Sequence, residues 1–113
     1  MIVNGKERAF KLTVGASLAI ANICPDGDLE RLDEALTGNY AKIINNVVAV
    51  ILALQKGAED ARALAEPDYT PDYMTADEVL ALEPAELKTL ERAAISAFKA
   101  DSKTSIEVDS KKK

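Results

Sequence analysis

Between Val47 and Leu54 the chain reads VVAVILAL, with no polar side chain on any face. Across the wider stretch from Asn39 to about Glu66 the apolar residues recur at helical spacing. Ile43, Val47, Ile51 and Leu54 form one stripe, and Ile44, Val48 and Leu52 form another beside it. A helix that is apolar all round has to be enclosed all round. A chain of 113 residues offers few other elements to enclose it, so part of this surface is expected to meet a second copy or a partner. Ile43, Ile44, Val47, Val48, Ile51 and Leu52 are therefore the candidate protein-interface residues, although the same periodicity would serve equally for plain core. The run is far shorter than the roughly 20 apolar residues a bilayer crossing needs, and Asn45 and Asn46 adjoin it, so no membrane span is expected.

The other segments read as shorter elements. Asn4-Gly5, with Met1-Ile2-Val3 before it and Phe10, Leu12 and Val14 alternating with polar residues after it, predicts a hairpin with strands at about 1–3 and 6–13. Such a hairpin is marginal alone, so its apolar face must lie on helices or on a partner's strand. The small-residue stretch GASLAIANIC predicts a helix over about 14–24, which Pro25-Asp26-Gly27 stops. Asp28 is placed to cap a short helix carrying Leu29, Leu32 and Leu36, which Gly38 ends. Gly57 weakens the long helix by about 1 kcal/mol relative to alanine, leaving a bend or simple continuation open there, and Pro67 ends it. PDYTPDY, residues 67–73, reads as an extended connector that Tyr69 and Tyr73 could anchor. Thr75 with Glu78 makes a capping box, and Pro84 suits the first turn of a last helix, giving helices at about 75–82 and 84–101. The polar end SKTSIEVDSKKK lacks periodicity.

The fold class expected is thus mainly α: an N-terminal β-hairpin packed on a small helical bundle with one long central apolar helix and a flexible C-terminal tail. Residues 1–101 would form one helical domain and residues 102–113 a disordered, Lys-ending tail.

Composition narrows the chemistry. With 48% apolar but only 4% aromatic residues and no Trp, the core must come from Ala, Leu, Ile and Val. The net charge of -5 repels phosphate backbones and anionic lipid, so neither nucleic acid nor membrane is an expected partner. There is no histidine, which removes the usual neutral-pH base and the commonest metal ligand. The lone Cys24 ends an apolar helix without a histidine partner and reads as a small hydrophobe rather than a nucleophile. The five glycines form no phosphate-cradling loop, and Asp26/Asp28 do not continue a calcium-loop pattern. No catalytic residue, cofactor or metal is expected. A single cysteine and an N-terminus without the basic-then-apolar layout of a signal peptide suggest an intracellular chain.

Taken in order, the stretches VNGKERAFKLTVGASLAIANICPDGDLERL and MTADEVLALEPAELKTLERAAISAF and the closing KKK resemble a tail assembly chaperone of the long, non-contractile-tailed bacteriophages. The resemblance implies a prophage origin, the bacterial cytoplasm and a non-catalytic role. Such chaperones coat the tape-measure protein, keep it soluble and help recruit tail-tube subunits, so tape-measure and tail-tube proteins are the implied partners; a homo-oligomer is expected independently, from the apolar surface of the long helix. It also implies a longer product made by programmed frameshifting, for which a terminal Lys-Lys could be the slippery site. The competing expectation is a small acidic adaptor of regulatory, immunity or antitoxin type, masking a basic site on one dedicated partner.

Overall fold

Asn4 and Gly5 both take positive φ, 52° and 79°, the geometry of a two-residue hairpin turn that this dipeptide favours. In the computed structural model this turn joins β1 (Ile2–Val3) to β2 (Lys6–Glu7), antiparallel, with Ile2 opposite Glu7 and Val3 opposite Lys6. The second strand is much shorter than the 6–13 expected. In this register Arg8 is opposite Met1, whose carbonyl accepts its amide at 2.6 Å, and the pairing ends there. The chain turns instead onto the long helix, where the Lys11 amide donates to the Leu54 carbonyl at 3.0 Å.

The structure describes the backbone of residues 1–111 and the side chains of residues 1–102. After the hairpin come α1 (Val14–Ala21), 3-10 turns at Pro25–Gly27 and Leu29–Arg31, and α2 (Leu32–Ala35). Then follow α3 (Tyr40–Ala65), α4 (Ala76–Leu80) and α5 (Pro84–Lys111). From residue 103 onward the segment expected as a tail has side chains outside the described residues.

Local chemistry sets most boundaries. The Thr13 hydroxyl caps α1 by accepting from the Ala16 amide. Cys24, preceding Pro25, is forced out of the helical region to φ -88°, ψ 151°, so α1 stops at Ala21 rather than at the expected 24. Asp28 caps as expected, accepting from the Glu30 amide at 3.0 Å, but its segment opens as a 3-10 turn and only then becomes α2. Asn39 caps α3 through the Lys42 amide and Thr75 caps α4 through the Glu78 amide. Pro84 occupies the first position of α5, where its missing N–H is no loss.

The protein is mainly helical, with the long helix α3 at its centre: α1, α2, α4 and α5 all pack on it, α1 most extensively. Ile20, Ile51, Leu54, Val79, Leu90 and Ala94 lie in one apolar cluster with almost no exposed surface. α3 runs through Gly57 without a break, and a Cβ there would sit 2.4 Å from the Lys11 carbonyl oxygen. That clearance is what lets residues 11–16 cross close over the helix.

Candidate protein-binding surfaces

The six residues singled out on the long helix divide. Val47, Val48 and Ile51 are 2%, 6% and 0% exposed, enclosed by this chain's own helices. Ile43, Ile44 and Leu52 are half-buried and pack against the edge of the same cluster. The expectation that the remaining helices are too few to cover Val47–Leu54 is therefore corrected. Four helices converge on α3, and the short α1, α2 and α4 suffice beside the long α5 because each need cover only one stripe of it. By length and composition α3 would also pass as a membrane span, with 39% of its most apolar window buried inside the protein.

Apolar surface is left over elsewhere. α1 buries Ala16 and Ile20 toward α3, while Val14 and Leu18, one turn apart, are 78% and 63% exposed. A helix of sequence VGASLAIA is apolar on both faces, so burying one leaves the other in water. Leu64 near the end of α3 and Leu80 in α4 are also exposed.

Polar groups do work that periodicity did not reveal. Gln55 and Glu59 lie inside the protein on the face of α3 that continues from Val48. Gln55 clamps the 67–73 connector: its Nε2 donates to the Asp72 carbonyl at 3.0 Å and its Oε1 accepts from the Met74 amide at 2.9 Å. Glu59 accepts from the Asp72 amide at 2.8 Å and from the Tyr69 hydroxyl, which confirms Tyr69 as an anchor. Tyr73 donates to Asp60 at 2.5 Å. From the hairpin, the buried Arg8 donates to the Asp72 carbonyl at 2.8 Å and reaches the Asp72 and Glu78 carboxylates at 3.3 Å. Lys6, as a hydrogen-bond donor, and then the Arg8 charge hold the Asp72 carboxyl below its usual range. The signal for Gln55 and Glu59 was present in the sequence, as polar residues one turn apart on a face otherwise apolar. Nothing local marked Arg8.

Cys24 is buried, and its thiol donates to the Ile20 carbonyl at 3.3 Å. Burial, and secondarily the charge of Asp28, push its pKa up, so it stays a protonated thiol at neutral pH. Among the described residues no group of three or more Cys, Asp or Glu is placed to hold a metal ion.

Two depressions adjoin along α5. One, of about 300 Å³, lies between α5 and the Leu29–Leu36 segment, with Leu29, Leu36, Ile95 and Phe98 along it and Glu30 and Asp33 on the far bank. The other runs over the outer face of α5, past Lys88, Arg92 and Lys99, and the two share Glu91, Ile95 and Lys99.

No family model, curated protein or solved structure matches this chain.

Proposed function

We propose that this protein is a non-enzymatic tail assembly chaperone of a long, non-contractile-tailed phage. In this reading it binds the tape-measure protein in the bacterial cytoplasm, keeps it soluble and helps bring tail-tube subunits to it. The sequence resemblance supports this reading, and the structural observation that carries it is the outer face of α1. There Val14 and Leu18 stand in solvent on a helix already packed on its other side. An exposed apolar stripe on a short, supported helix suits the apolar repeats of a long helical partner, which would lay its own apolar face alongside. The net charge of -5 would keep coated complexes apart.

The test is co-expression with a tape-measure protein, the very long apolar chain that this reading expects to be encoded beside this gene. The soluble fraction of that protein should rise with the wild-type chain and fall back with Val14→Asp/Leu18→Asp. If it precipitates equally with and without the wild-type chain, the chaperone reading is wrong. If the double variant works as well as wild type, the site lies elsewhere than α1.

A further inference from the structure

We infer that the outer face of α5 and the groove beside it form a self-complementary surface that takes a second copy of this chain as a two-fold dimer.

The charges on the two banks of the groove carry the argument. Lys6, Arg8, Arg31, Lys56 and Arg62 each hold a carboxylate at 2.6–3.3 Å. Lys88, Arg92 and Lys99, like Lys11 and Lys42, hold none among the described residues, but these three lie together on one helix of a chain that is acidic as a whole. They follow one another along one exposed face of α5, over roughly 17 Å at the α-helical rise. Across the groove, Glu30 and Asp33 are exposed and have no cation of their own among the described residues. The chain therefore carries an unpaired basic strip and an unpaired acidic bank, with Leu29, Leu36, Ile95 and Phe98 only half-buried between them. Each is what the other lacks, yet the groove holds them apart within one molecule.

A two-fold axis resolves this, because in such a contact each copy supplies both halves. With the two-fold axis parallel to α5 and Ile95 facing its symmetry mate, the two helices run side by side in the same direction, and the flank of each that carries Lys88, Arg92 and Lys99 faces the flank of the other that carries Glu91 and the groove. The half-buried apolar residues become the dry centre, and Glu30 and Asp33 receive the basic strip of the incoming helix. The inference does not depend on the chaperone reading: α1, which that reading uses, takes no part in this contact.

The experiment is sedimentation of the full chain. The wild type should run at twice its chain mass of 12.1 kDa at micromolar concentration, and dissociate more readily as salt is raised. A chain carrying Arg92→Glu and Lys99→Glu has two acidic banks, and one carrying Glu30→Lys and Asp33→Lys has two basic ones. Each alone should be monomeric with an unchanged circular dichroism spectrum, and an equimolar mixture should restore the dimer. Misfolded variants would not complement one another, so recovery in the mixture separates assembly from folding. A wild-type chain that stays at 12.1 kDa at high concentration overturns the inference, as does a dimer untouched by either charge reversal or a mixture that stays monomeric.

Discussion

Replacing Gly57 with alanine adds one methyl group to the interior of a long helix, and propensity alone makes that change stabilising by about 1 kcal/mol. The new Cβ would lie 2.4 Å from the Lys11 carbonyl oxygen and 3.0 Å from Thr13 Oγ1. The first of these is backbone, tied to α3 by the Lys11 amide, so it cannot swing aside as a side-chain tip would. Steric strain of about 1–3 kcal/mol should win, and Gly57→Ala should lower the urea midpoint; a raised midpoint would mean that residues 11–16 lift off α3 freely. Asp72 makes a second prediction at this scale. Its carboxyl pKa is lowered in the folded protein by Lys6 and by Arg8, so the stability it lends is present above the ordinary carboxylate value, near pH 4. That stability is lost as pH falls through the lower, folded value. Asp72→Asn should therefore make the acid limb of a stability-against-pH curve shallower below about pH 4 and leave its slope near neutral pH unchanged. An acid limb as steep as that of wild type would assign the acid sensitivity to Asp60 and Glu34, whose carboxyls are lowered by Lys56 and Arg31.

Among the elements, the connector has no secondary structure of its own and is held by α3. Gln55 satisfies the Asp72 carbonyl and the amide of Met74 just after it, and Glu59 satisfies the Asp72 amide. Gln55→Ala should cost about 1–3 kcal/mol for each group left unpaired in the interior. Hydrogen exchange should report it locally, with the Met74 amide exchanging much faster while amides in the middle of α1 keep their protection. Uniform loss of protection across the chain would instead mean that the connector and the helices open as one unit. The hairpin was legible as a turn and illegible as a pair of strands. Asn4-Gly5 encodes its own φ values, whereas the extent of pairing depends on where the chain leaves its partner strand for the long helix. The alternation in Phe10, Leu12 and Val14 that suggested a longer strand instead marks a segment lying across α3, with Phe10 and Leu12 turned toward the apolar cluster.

For the whole molecule, the decisive contrast is between two apolar stripes of similar appearance. Ile51 is 0% exposed at the point where four helices meet, and an unpaired charge buried there costs several kcal/mol, comparable to the roughly 5–15 kcal/mol that holds a domain together. Ile51→Asp should abolish the helical circular dichroism transition. Val14→Asp/Leu18→Asp, on the exposed side of α1, should leave that transition within about 0.5 kcal/mol of wild type, the usual range for surface changes. A folded Ile51→Asp protein would contradict the packing described above.

The sequence by itself determined whatever depends on a few neighbouring residues. The Asn4-Gly5 turn, the stops at Pro25 and Pro67, the caps at Asp28 and Thr75, and the long helical period of α3 are all of this kind, because capping and turn energies act within about four residues of chain. Tertiary structure alone decided which apolar stripe is interior. Periodicity marks Val47, Val48 and Ile51 as surface to be covered, but only the convergence of four helices says that the chain covers them itself and leaves Val14 and Leu18 outside. The same holds for Arg8, whose carbonyl partner on Asp72 is 64 residues away, and for Gly57, where the absent methyl matters only because another part of the backbone passes there. Desolvation and steric contact are set by which surfaces meet, and surfaces far apart in sequence meet only once the chain has folded.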